Sequence, residues 1–144
     1  MSNISMDSFH SRLVDEPFFG VLKWAELDAL LDKVKAGEWF FYQVGEEVPT
    51  TAFGGEVLAM RLDALNALLR KDHDYHFCGI VYVDNFDAPT LIKVYDPNYI
   101  GSSCYEGTRG SSPSWLLSIQ PPSRIENHPP LTNSRKRWWQ QLFD

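Results

Sequence analysis

The stretch His76-Phe77-Cys78-Gly79-Ile80-Val81-Tyr82-Val83-Asp84-Asn85-Phe86-Asp87-Ala88-Pro89-Thr90-Leu91-Ile92-Lys93-Val94-Tyr95 decides the fold. Its two ends are rich in β-branched and aromatic residues, and the Asn, Asp and Pro between them are turn formers. The pattern predicts an antiparallel hairpin of strands about 76–83 and 90–95. The first strand is apolar on both faces, as a central strand is. In the second, Ile92 and Val94 face one way while Leu91, Lys93 and Tyr95 face the other.

Outward from the hairpin, Trp24, Leu27, Leu30, Leu31 and Val34 recur at helical spacing, and Gly37 stands where a left-handed C-cap would fall. A helix over about 23–36 follows. Glu38 to Val44 is an aromatic run between Gly37 and Gly45 that suits a strand over about 38–44. Leu58, Leu62, Leu65, Leu68 and Leu69 predict a second helix over about 58–71, with Asp63 an alternative N-cap if Val57 to Leu62 is extended. The crossover through that helix should leave the strands at 38–44 and 76–83 parallel. The expected fold is therefore α+β, a small mixed three-stranded sheet covered by helices.

A helix-then-strand unit also recurs in outline. Phe19-Gly20 and Leu27-Asp28-Ala29-Leu30 precede Trp39-Phe40-Phe41, as Phe53-Gly54 and Leu62-Asp63-Ala64-Leu65 precede Tyr75-His76-Phe77. A duplication would make the fold α/β, although Leu-Asp-Ala-Leu suits the start of any amphipathic helix.

After Asp96 the texture changes, with glycines and prolines interrupting every long element up to residue 130. Residues 1–95 read as the α+β core and 96–144 as an irregular segment with a terminal helix, packed on the same domain. Within that segment Trp115 to Ile119 is too apolar to stay in water, and is expected to lie on the domain as an anchor between mobile flanks.

Composition narrows function. With 144 residues, 44% of them hydrophobic, the chain can bury a core without metal or disulfide. No apolar run at the start suggests a secretory or membrane segment, and two cysteines make no disulfide framework, so a cytoplasmic setting with reduced thiols is expected. The net charge is −6; Arg135, Lys136, Arg137 and Asp144 leave +2 on residues 131–144 and −8 on the rest. An acidic body repels phosphate backbones, so neither nucleic acid nor a membrane surface is an expected partner, whereas another protein is.

Candidate functional residues fall in three groups. In the arm, a cap at Asn133 or Ser134 would start a helix that sets Trp138 beside Leu142 and Trp139 beside Phe143. Arg135, Arg137, Trp138, Trp139 and Phe143 are the residue types that dominate binding hot spots, and they either dock a partner or fold back onto the acidic body. Basic residues in a first turn oppose the helix dipole, so this helix needs packing.

The second group, Asp72-His73-Asp74-Tyr75-His76-Phe77-Cys78, contains metal-ligand types, with His76 and Cys78 on one strand face, but at no established spacing. No metal and no cofactor are expected. The third is Cys104 on a Gly/Ser loop. Cys104 or Cys78, with His76 as base, would define a small thiol enzyme, the alternative to a non-enzymatic adaptor; no activating cation stands near Cys104 in the sequence. Gly54-Gly55 lacks the rest of a phosphate loop, Asp84, Asn85 and Asp87 lack calcium-loop spacing, and Trp39-Phe40-Phe41-Tyr42 lacks the basic surround of a base-stacking platform.

Overall fold

The structure is a computed structural model and describes residues 3–97, 113–126 and 130–143. Among them are four helices, α1 (Asn3–Asp15), α2 (Trp24–Lys35), α3 (Gly55–Asp72) and α4 (Asn133–Leu142). Five strands, β1 (Phe19–Val21), β2 (Phe40–Gln43), β3 (Val81–Val83), β4 (Leu91–Val94) and β5 (Trp115–Ser118), form one sheet in the order β1-β3-β4-β5-β2. Every pairing is antiparallel.

The expected α+β class stands, but the three-stranded mixed sheet does not. Strands β2 and β3 are not neighbours, and the alternation of directions across the sheet sets them opposite rather than parallel. The hydrogen bonds of β2 go instead to β5, in the register Phe41 to Leu117 and Gln43 to Trp115. The apolar run Trp115 to Ile119 is thus no surface anchor. It threads between β4 and β2, which is why all four residues of β5 are buried.

The hairpin is present, with Val81 opposite Val94 and Val83 opposite Ile92, but β3 starts at Val81 rather than at residue 76. Gly79 is the reason. Its φ of +72° is left-handed backbone that turns the chain, and a Cβ there would meet the Phe77 ring at 3.1 Å. Cys78 and Gly79 still donate to the carbonyls of Leu22 and Val21, while His76 and Phe77 leave the sheet and are exposed. That also removes the proposed duplication: the second unit has no strand at residues 75–77 to match β2.

The two sheet faces bury different residues. Val21, Phe41, Val81, Val83, Ile92, Val94, Trp115 and Leu117 point into the larger cluster, which α2 and α3 complete with Leu27, Leu30, Leu31, Leu58, Leu62 and Leu65, and α4 with Trp139. Phe9 of α1 lies on the other face with Tyr42, Val44, Leu91 and Leu116. The expected alternation holds within β4, where Ile92 and Val94 join the first cluster and Leu91 the second, while Lys93 Nζ reaches the Leu13 carbonyl of α1 at 3.1 Å; it fails at Tyr95, which lies past the end of the strand and packs against the first cluster rather than on the side of Leu91.

Helix ends follow local chemistry. The Glu26 carboxylate accepts from the Leu22 and Lys23 backbone N–H groups at 3.1 and 3.0 Å and starts α2. These bonds hold its pKa below the usual carboxylate range. The C-cap of α2 is Ala36 in right-handed conformation, so Gly37 is not the left-handed residue expected. Helix α3 begins after extended Gly54, where a Cβ would stand 2.9 Å from Glu38 Cγ. Asp63 is mid-helix and pairs with Lys35 at 2.7 Å instead of capping.

Candidate functional site

Helix α4 carries the basic aromatic arm. Thr132, rather than Asn133 or Ser134, is its N-cap, and its Oγ1 accepts from the Arg135 N–H at 3.2 Å. From that start, positions 135 and 139 face the sheet and are the buried residues of the helix. Trp139 is 9% exposed and meets Phe41 of β2 edge-on, ring centroids 5.1 Å apart, while part-buried Trp138 meets Trp115 at 5.6 Å. The arm folds back onto its own body.

Arg135 fixes it there. Its Nε and Nη2 donate to the two oxygens of Asp96 at 2.8 and 2.9 Å, and Nη2 also reaches Asp72 Oδ2 at 2.8 Å. Arg135 and Asp96 are 6% and 2% exposed, so this planar two-bond pairing is made away from water, where a guanidinium fork suits a carboxylate best. The hydrogen bonds to Asp96 outweigh burial and push the Arg135 pKa above its already high value. A buried amide completes the anchor: Gln43 accepts from the Trp115 indole at 2.8 Å and donates to the Arg135 carbonyl at 3.4 Å. The acid pair also offsets the unfavourable placement of a cation in a first helical turn.

One aromatic ring of the arm stays half in water. Phe143, at the C-cap, is 44% exposed and packs against Trp139 at 4.8 Å and Phe53 at 6.1 Å. Together with Phe41, Gln140 and the segment Glu46 to Thr51, these rings line an open groove of about 640 Å³. Arg61 of α3 lies behind them, its guanidinium 4.1 Å from the Phe53 ring centre and 3.9 Å from that of Phe143. Its Nη1 is buried without a hydrogen-bond partner among the described residues, and burial lowers its pKa. Stacking on two π-faces is what retains a desolvated cation there.

The other candidates part company. Arg137 is exposed on α4 and does not line the groove. Cys78 is a buried free thiol whose pKa burial pushes up, the opposite of what a thiolate nucleophile needs, and His76 is exposed in the bend before it. His73 is buried with Nε2 on the Cys78 carbonyl at 2.7 Å, a structural bond. Among the described residues no group of three His, Cys, Asp or Glu side chains could hold a metal ion. Cys104 lies outside the described residues.

Phe53, Arg61, Glu46 and Glu47 were not singled out in the sequence. Arg61 had a signal, since it interrupts the leucine stripe of α3 on its buried face. The two glutamates gave none beyond a turn-rich context.

Compared with protein families, with curated proteins and with solved structures, the chain matches none of them. No described helix is long and apolar enough to cross a membrane. The observations define a small α+β domain whose C-terminal aromatic cluster is held by the ion pairs of one buried arginine.

Proposed function

We propose that this chain is a small cytoplasmic accessory or adaptor protein that binds another protein in the groove between residues 46–53 and α4. The observation that carries the reading is Phe143, a large ring left half-exposed beside Trp139 and Phe53 on a concave surface, where binding energy concentrates. The arm and the sheet both contribute, Trp139 and Phe143 from the helix and Phe41 from β2. Arg135 acts on binding by holding α4 in place, and exposed Arg137 is a charge at the periphery.

The test is a variant that fills the groove without touching the core. Gln140 is exposed on α4 and lines the groove, so Gln140→Trp should leave the melting temperature within about 2 °C of the parent, as surface changes do. Affinity capture from native lysate with the parent, with Gln140→Trp and with a remote surface variant, Asp32→Asn, should then lose the same protein in Gln140→Trp alone. Equal recovery with all three would remove the groove as the binding surface.

A further inference from the structure

Resting on that reading of the groove, we infer that its occupant is a basic, apolar segment of a partner protein, with Lys or Arg side chains directed to Glu46 and Glu47 and apolar side chains against Phe41, Trp139 and Phe143. The accessible charge of the groove is the reason. Its lining contains two carboxylates, Glu46 and Glu47, and no cation. Neither glutamate is paired with a cation among the described residues. Arg61, outside the lining, is buried and stacked on the Phe53 and Phe143 rings.

Long-range charge acts the same way. A net charge of −6, with −8 on residues 1–130, attracts a basic segment and repels an acidic one over about a Debye length, roughly 8 Å in physiological salt. It also disfavours a second copy, because two −6 bodies repel and Arg135, one of the three cations in the arm, is buried in its own ion pairs. The aromatic walls suit the same ligand: the alkyl stems of Lys and Arg lie along apolar rings while their charged ends reach outward, and a guanidinium stacks on a ring face as Arg61 does from behind.

The probe is a fluorescein-labelled hexapeptide alternating leucine and arginine, titrated with the full chain by fluorescence anisotropy. A leucine-glutamine hexapeptide is the neutral comparison. The basic peptide should bind more tightly than the neutral one, and binding should vanish in Gln140→Trp. Glu46→Gln/Glu47→Gln should weaken it about three- to tenfold, as expected for two partly solvated ion pairs. Asp32→Asn/Asp87→Asn, which removes the same charge from exposed sites outside the groove, should leave it within about twofold, the allowance for screened distant charges. Equal weakening by the two double variants would overturn the inference, leaving only diffuse attraction to an acidic protein. Binding of the neutral peptide as tight as the basic one, and abolished by Gln140→Trp, would overturn the basic occupant while the groove remains a binding site. If Gln140→Trp changes the binding of neither peptide, both readings fall together.

Discussion

Arg135 makes the sharpest claim on single side chains. Its bonds to Asp96 and Asp72 are of the kind that destabilise strongly when one partner is removed, because the other charge is left in place without its counter-ion. Arg135→Leu should cost about 3–5 kcal/mol in urea unfolding. The double variant Arg135→Leu/Asp96→Leu should recover part of that loss, since it no longer buries the Asp96 carboxylate without the guanidinium that pairs with it; a double variant as unstable as the sum of two singles would mean the pair is not coupled. Asp84 offers the pH counterpart. Burial raises its carboxyl pKa, but hydrogen bonds from Thr90 Oγ1 and from the Thr90 and Leu91 N–H groups, with Arg12 nearby, overcome this and leave it below the usual value. A depressed folded-state value means that the ionised form stabilises the fold above the unfolded pKa, about 4, and that this stability is lost as pH falls through the lower folded-state value. The stability gap between the parent and Asp84→Asn should therefore be full at pH 7, about 1–3 kcal/mol, and narrow below pH 4. A gap constant from pH 7 to pH 2 would show that the charge of Asp84 contributes nothing.

At the scale of elements, what the sequence displayed depended on whether an element's signal was local. Helices α2 and α3 each carry a stripe of leucines at helical spacing, and the β3–β4 hairpin has two apolar runs beside a turn, so all three were legible. Helix α1 was not, because its described contacts with the sheet come down to Phe9, partly buried Leu13 and the polar anchor of Arg12, which reaches Asp84, Thr90 and Gln120. Strand β1 has three residues, one of them the exposed Phe19, and shows no alternation. Strand β5 was visible as an apolar run but not as a strand, since the partner that fixes its outer edge lies about 72 residues away, Gln43 bonding to Trp115. For the candidate site, the pairing of Trp139 with Phe143 at i and i+4 was readable in advance, whereas the loop glutamates acquire meaning only once α4 is laid beside them. Helix α4 itself serves the core and the groove from adjoining sides, with Trp139 belonging to both. Trp139→Ala should thus cost about 3–5 kcal/mol as a buried aromatic truncation, while Phe143→Ala costs less, because its ring is already half in water. Paired urea melts of the two variants check the order, and the reverse order would place the buried ring at position 143.

Across the whole molecule, a single sheet joins the two ends of the chain. Strand β5 supplies one neighbour to β4 and the paired neighbour of β2, and α4 closes the larger core over Phe41 and Trp115. Without residues beyond 95, β2 has no sheet partner, Phe41 loses the cover of Trp139, and Ile92 and Val94 lose the strand beside them. A chain ending after Tyr95 would expose the edge of β4 and the larger cluster of apolar side chains, a surface prone to association. It should show no cooperative unfolding transition, should bind the dye ANS, and should aggregate at micromolar concentration, the behaviour of a compact state without fixed packing. Adding residues 113–143 as a separate polypeptide should restore a cooperative transition if β5 and α4 carry the missing pairings. Cooperative unfolding of the truncated chain alone, with dispersed amide NMR signals, would show instead that β1, β3 and β4 with their helices form a self-sufficient unit and that the C-terminal elements dock onto it.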